Sequence, residues 1–199
     1  MQASFAGQSA SLVDSKHSCR SHARWQLTPA SAPFTNRQAA GGSEAGPGVP
    51  ELCKPVALFL ELTGCRFSEM AALRVDDVVQ TPHGLGVRVH RAATQSKRSS
   101  AAVFGPTKTH QTRTVPVPAA LDGYVRERVS VTASGGYLFP SPTGGVWTNS
   151  NFRARSRWMY ATRAAGVEGT TIHDLRHTAA SLLIAAGADV KAVQVILGH

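Results

Sequence analysis

Acidic residues are scarce in this chain. Twelve Asp and Glu stand against 21 Lys and Arg over 199 residues, a formal net charge of +9 with a pI near 10.2. The few carboxylates are scattered, so the sequence offers no cluster able to hold Mg²⁺. Cysteine is rarer still. Cys19, Cys53 and Cys65 are odd in number and widely spaced, and no pair has metal-ligand spacing. That pattern excludes a disulfide scaffold and fits reduced thiols in a cytosol. No apolar run approaches the ~20 residues of a membrane span. The opening Met1-Gln2-Ala3-Ser4 has no basic stretch leading into an apolar one, so no signal peptide is expected. Leu62-Thr63-Gly64-Cys65 resembles a lipoprotein cleavage box, but it stands far inside the chain without a signal sequence before it and is read as chance. No internal repeat is present. What remains is enough chain for one domain of ordinary size, 42% hydrophobic. Its positive charge points to an anionic partner, with nucleic acid the default candidate and a merely basic soluble protein the plain alternative.

Residues 1–50 differ from the rest. Ala, Ser, Gly and Pro supply 26 of these 50 residues without apolar periodicity, and Gly46-Pro47-Gly48-Val49-Pro50 reads as linker. This segment is expected to be disordered or a non-native start. Order is expected from Pro55. Pro55–Leu62 reads as a buried helix entered through proline and broken by Thr63-Gly64. Phe67–Leu73 reads as a second short helix. Gly86–His90 and Arg113–Val117 alternate as strands, and Pro116 marks the latter as an edge. Between them Arg91–Lys108 is basic and Ser-rich. Leu121–Val129 and Asn151–Ala165 read as helices, the second carrying Arg153, Arg155, Arg157 and Arg163. The expected fold is mainly α with a small antiparallel β-sheet.

The last twenty-nine residues are the richest in information. Thr171 and Asp174 form a capping-box pattern at a helix start. His173, Arg176 and His177 follow at i, i+3 and i+4 on one face. Ala179, Ala180, Leu182, Leu183 and Ile184 look like core, Gly187 ends the helix, and Asp189 caps the next. Titratable groups on a buried helix are costly unless an anion meets them. Arg66, with Glu69 three residues on, and Lys108 in a polar turn are further cations in polar settings. Arginine pairs suit a phosphate, because each planar fork gives bidentate, charge-assisted bonds, and Lys and His can move protons at the attacking and leaving oxygens. The implied chemistry is metal-free phosphoryl transfer on a polyanion, without a cofactor.

Three boxes then carry a resemblance. Thr63-Gly64-Cys65-Arg66-Phe67-Ser68-Glu69, followed by Leu73, resembles the first box of the tyrosine recombinases, the phage-integrase family. His173-Asp174-Leu175-Arg176-His177-Thr178, with Gly187 and Leu197-Gly198-His199, resembles the second. Thr107-Lys108-Thr109 before Arg113-Thr114-Val115-Pro116 resembles the lysine hairpin, with Lys97 a rival in the same stretch. The match covers roughly residues 55–199 in the right order. It implies a tyrosine recombinase catalytic-domain fold acting on double-stranded DNA, with self-association at a synapse and no membrane. By the same resemblance Arg66 and Arg176 bind the scissile phosphate, His173 assists proton transfer, Lys108 is general acid for the departing 5′ oxygen, His199 supports the phosphate, and Glu69 buttresses Arg66. The implied reaction is site-specific DNA recombination through a 3′-phosphotyrosine.

The family's nucleophilic tyrosine lies about one short helix past the box that ends at His199. Tyr124, Tyr137 and Tyr160 do not stand in that context. The resemblance therefore implies a domain truncated before its nucleophile, inactive alone. The alternative is a non-catalytic DNA-binding module derived from an integrase. A water-using phosphodiesterase pocket ranks below both, since no general-base carboxylate is evident. The remaining groups take plainer roles. Trp147 and Trp158 are read as core, and His83, His90 and His110 as surface groups. The four arginines of Asn151–Ala165 are either a solvated face or a contact to DNA backbone.

Overall fold

The computed structural model describes residues 48–95, 102–108 and 111–198. Residues 1–47, Lys97 and His199 lie outside the described residues, and so do the expectations that rest on them. Packing begins at Val49 and Cys53, both buried in the main core. A 3-10 turn, Glu51–Cys53, leads into α1 (Lys54–Thr63), with proline in its first turn. Val56, Phe59 and Leu60 face the core. Gly64 ends the helix in the left-handed region (φ +64), its N–H donating to the Leu60 carbonyl at 3.0 Å. Next come α2 (Phe67–Ala71), β1 (Val78–Thr81) and β2 (Gly84–Val89).

The basic stretch after β2 holds structure that its composition concealed. β3 (Arg91–Gln95) and β4 (Ala102–Pro106) pair antiparallel as a separate two-stranded ribbon, with Arg91 opposite Pro106 and Gln95 opposite Ala102. The fold thus has two small antiparallel sheets where one was expected. β5 (Arg113–Pro116) returns to the first sheet, in the order β1-β2-β5, with Val87 opposite Val115. β5 pairs with β2 alone, so Pro116 sits on an edge strand, where its missing N–H costs no ladder bond. The ribbon is clipped to the body by stacking. Phe104 and Tyr137 lie 6.4 Å apart at 18°, and the Arg74 guanidinium is 5.9 Å and 5.6 Å from their centroids.

α3 (Asp122–Val131) precedes a connector whose Leu138 N–H donates to the Leu73 carbonyl. The helix expected over Asn151–Ala165 is instead two, α4 (Asn149–Arg155) and α5 (Trp158–Ala164). Arg157 between them has φ +49, the one non-glycine residue with positive φ among the described residues. The break has a packing reason. On one continuous helix Phe152 and Trp158 would point about 120° apart, at roughly 100° per residue. The turn at Arg157 lets both face the core, and both are buried. Phe152 is the hub there, with ring centroids 5.6 Å from Phe67, 5.4 Å from Trp147 and 6.2 Å from Trp158.

α6 (Asp174–Ala185) packs against α1, and α7 (Val190–Leu197) packs against α6. Leu183, Val193 and Leu197 form a small second cluster between them. Ile184, expected in the core, is exposed, because the buried positions of α6 are Leu175, Arg176, Ala179 and Leu183. Among the described residues no helix is long and apolar enough to cross a membrane.

Candidate active site

Arg66 is the residue before α2, in extended conformation, and Glu69 is the third residue of that helix. The spacing lets the Glu69 carboxylate turn back on the helix start. Its Oε2 accepts the Arg66 backbone N–H at 3.0 Å, and its Oε1 accepts Arg66 Nη1 at 2.9 Å. A second guanidinium arrives from β5. Arg113 Nη2 donates to Oε2 at 2.7 Å and Nη1 to Oε1 at 3.3 Å. The Glu69 side chain is fully buried, Arg113 is 9% exposed and Arg66 19%. Burial by itself pushes the Glu69 carboxyl up, but the hydrogen bonds and charge of Arg113, then the bonds from Arg66, outweigh it and hold the group below its ordinary value. Arg113 is opposed by burial in the same way, and its bond to Glu69 prevails and raises it.

The second half of the site comes from α6. Thr171 and Asp174 cap it reciprocally. The Asp174 carboxylate accepts the Thr171 N–H at 2.7 Å and the hydroxyl at 2.8 Å, and Thr171 Oγ1 accepts the Asp174 N–H at 3.3 Å. These bonds hold the Asp174 carboxyl below its ordinary value. The cap sets the first turn, which buries Arg176 and leaves His173 and His177 exposed with their rings 5.5 Å apart, edge to face. Arg176 Nη1 donates to the Gly64 carbonyl at 2.7 Å. Burial, and then the nearby charge of Arg66, lower its pKa. Two guanidiniums from separate boxes are therefore close enough to repel, a strain that an anion between them would relieve. The end of α7 closes over them. Arg66 Nη2 donates to the Gly198 carbonyl at 3.2 Å, and Arg113 Nε to the Ile196 carbonyl at 2.9 Å.

A cavity of about 410 Å³ opens beside this cluster, with Arg66, Ser68 and His173 in its wall and Phe67, Trp147 and Thr148 beside them. Thus Arg66 and Glu69 are bonded and His173 shares the cavity with Arg66, while Arg176 is held two residues away at the Gly64 carbonyl and is not among the cavity-lining residues. Lys108 stands exposed in the turn after β4 and is not among the cavity-lining residues. No tyrosine lines the cavity. The Tyr124 hydroxyl donates to the Leu138 carbonyl at 3.2 Å, Tyr137 stacks on Phe104, and Tyr160 is exposed on α5. Among the described residues no group of His, Cys, Asp and Glu is arranged to hold a metal ion.

Sequence reasoning missed Arg113, which it used only as a strand marker. The alternation contained the information. Arg113 and Val115 are two apart on one face, and Val115 is buried, so Arg113 points inward and needs a counterion. His90, read as a surface group, is half-buried instead. Its Nε2 lies 3.0 Å from Asp77 Oδ1 and 2.9 Å from Arg91 Nη1, because the chain turns from one sheet to the other there.

Comparison with known proteins agrees with the geometry. The sequence pattern of the phage integrase family matches residues 52–199. The tyrosine recombinase XerC of Mycobacterium leprae (strain TN) is 31% identical over 166 residues, covering 81% of this chain and 50% of its own length. The integrase of Mycobacterium phage D29 is 32% identical over 146 residues, covering 70% of this chain and 38% of its own. The chain spans about half the length of the XerC and XerD relatives it matches. Among solved structures, the Tn1549 transposon integrase in complex with a circular intermediate DNA has a TM-score of 0.59 at 19% identity, over 80% of this chain and 60% of that one. The XerH site-specific recombinase bound to difH substrate has a TM-score of 0.52 at 22% identity, over 74% and 40%. At these identities the structures establish the fold, that of the tyrosine recombinase catalytic domain. With the family's pattern running from Leu52 to the last residue, the chain belongs to the phage integrase family of tyrosine recombinases.

Proposed function

We propose that this chain carries the phosphate-gripping half of a site-specific DNA recombination reaction. The observation that carries the reading is the bond of Arg176 to the Gly64 carbonyl, two residues before Arg66, which draws two distant boxes together next to a cavity lined by Arg66 and His173. A DNA phosphate there relieves the repulsion between Arg66 and Arg176 and accepts their charge-assisted bonds. Glu69 keeps Arg66 in place. His173 handles a proton at a phosphate oxygen, Lys108 protonates the departing 5′ oxygen, and His199 supports the phosphate. The attacking group is a tyrosine hydroxyl, and it leaves a 3′-phosphotyrosine. The step needs no metal and no cofactor, because guanidinium charge offsets the charge that builds on the phosphoryl oxygens. Duplex DNA is the substrate, in the cytoplasm, with copies associating at a synapse. The integrase and XerH structures of the same fold were solved with DNA. Exposed Arg153, Arg155, Arg157 and Arg163 on α4, α5 and the turn between them supply backbone contacts around the site.

The exposed arginines of α4 and α5, which suit backbone contacts without chemistry, support a second reading, a DNA-binding module that does not cleave. A labelled duplex titrated at several salt concentrations tests the shared part. Binding should weaken steeply with salt. Arg66→Ala and Arg176→Ala should each lower affinity about 10- to 100-fold, since a charge-assisted bond is worth ~1.5–3 kcal/mol. Wild-type affinity in both variants refutes the phosphate site. Covalent trapping on nicked duplex then separates the readings: a trapped adduct supports cleavage, and binding without one supports the module.

A further inference from the structure

We infer that Arg113 is a positioning residue that ties the end of α7 to the phosphate site, an inference that rests on the DNA reading only for its effect on binding. Arg113 is anchored at both ends of its guanidinium. Nη1 and Nη2 hold the two Glu69 oxygens, and Nε holds the Ile196 carbonyl. The chain then passes directly over it. A Cβ at Gly198 would lie 2.8 Å from Arg113 Nη1 and 2.9 Å from Cζ, so only glycine fits there, at φ +75. Arg66 reaches the Gly198 carbonyl from the other side. Two guanidiniums thus meet the carbonyl end of α7, where the helix dipole is negative.

This latch matters because α7 has little else to hold it. Its buried residues are Val193 and Leu197, packed in the small cluster with Leu183, and Val190 and Val195 are exposed. Glu69 in turn depends on Arg113. The carboxylate accepts four N–H bonds, two from Arg66 and two from Arg113. Removing Arg113 leaves a buried carboxylate on its local partner alone, and burial then raises its proton affinity. Arg66 is then left with a counterion held only by its own two bonds, and the backbone of residues 196–198 loses one of its two guanidinium anchors. Arg113 therefore acts through Glu69, Arg66 and α7, without lining the cavity itself.

The test uses the full chain, with ¹³C-detected titration of the Glu69 carboxyl and amide hydrogen exchange in α7, in wild type, Arg113→Gln and Arg113→Lys. Arg113→Gln should move the Glu69 midpoint upward and speed exchange over Val193–Leu197 at least tenfold, with Phe59 and Leu60 in α1 unchanged. Arg113→Lys keeps the charge, so the Glu69 midpoint should stay near wild type. Lysine cannot span both carboxylate oxygens and the Ile196 carbonyl, so α7 exchange should still rise. Unchanged α7 exchange in Arg113→Lys overturns the inference even if Arg113→Gln fails to fold. An unshifted Glu69 midpoint in Arg113→Gln, or equal loosening of α1, also overturns it. Duplex affinity of Arg113→Gln should fall about tenfold, and wild-type affinity counts against the latch. If the wild-type chain itself ignores DNA, the proposed function fails, while the titration and exchange still decide the role of Arg113.

Discussion

Gly64 is the point where α1, α6 and α7 come together, and Gly64→Ala is the sharpest single perturbation of the fold. The alanine Cβ would stand 2.4 Å from Leu197 Cδ2 and 3.0 Å from Ala179 Cβ. The backbone there has φ +64, a conformation that costs a non-glycine residue ~1–2 kcal/mol. Overpacking adds ~1–3 kcal/mol, since Leu197 must move and α7 with it. The total is about 2–5 kcal/mol, or roughly 5–20 °C in melting temperature for a domain of this size. Urea denaturation gives the free energy directly, and Gly123→Ala serves as control. Gly123 lies in α3 with nothing within 4 Å of its added Cβ, so alanine there should stabilise by ~0.4–1 kcal/mol. Leu197→Ala removes the nearest clash, so the double variant Gly64→Ala, Leu197→Ala should lose at least ~0.5 kcal/mol less than the two single losses combined. A Gly64→Ala protein within ~0.5 kcal/mol of wild type would refute the packing argument. Strict additivity with Leu197→Ala would show that Leu197 is not the obstacle.

Three other outcomes follow from the same contacts. Glu69 has a depressed folded pKa, so its contribution to stability is fully present above its unfolded value of about 4.3 and is lost as pH falls through the folded value. Urea midpoints measured against pH should fall on the acid side of that value, and Glu69→Gln should flatten this dependence while costing ~3–5 kcal/mol at neutral pH. Thr171→Ala removes the reciprocal cap of α6 and should cost ~0.5–2 kcal/mol, read as a lower thermal midpoint. Phe104→Ala breaks the clip on the ribbon. It should cost only ~0.5–1 kcal/mol overall, with faster exchange confined to β3 and β4.

What the sequence made legible was local. Gly64 and Gly187 as helix stops, Asp189 as a cap, Pro116 at an edge and the Thr171–Asp174 box are all rules that act within a few residues, and each stands in the structure as read. The β3–β4 ribbon was hidden because Arg91–Gln95 and Ala102–Pro106 carry few large apolar residues; it is held by Ala92 and Ala93 against the core, by Arg91 on the Ala72 carbonyl and by the stack of Phe104 on Tyr137. The break at Arg157 was hidden because it answers to where Phe152 and Trp158 must point, which is a tertiary demand. The site divides along the same line. The pairing of Arg66 with Glu69 and the shared turn of His173 and Arg176 follow from spacing, while their joint role rests on the resemblance of the three boxes. Arg113 enters through a strand pairing and a helix docking that spacing does not encode.

The bonds of the arginine cluster join residues 44, 83, 112 and 132 positions apart. On a ribosome that distance is time. At ~5–20 residues per second, Arg66 and Glu69 leave the tunnel on the order of ten seconds before the carbonyls that complete their shell. In that interval the pair has only its own capping box. β5 arrives first and gives the carboxylate its second arginine, and the end of α7 follows about eighty residues later. A nascent chain therefore carries the Arg66–Glu69 pair with its outer bonds unmade until residues 113 and 196–198 emerge. The shell of the Arg66–Glu69 pair is complete only once Gly198 has been laid over Arg113.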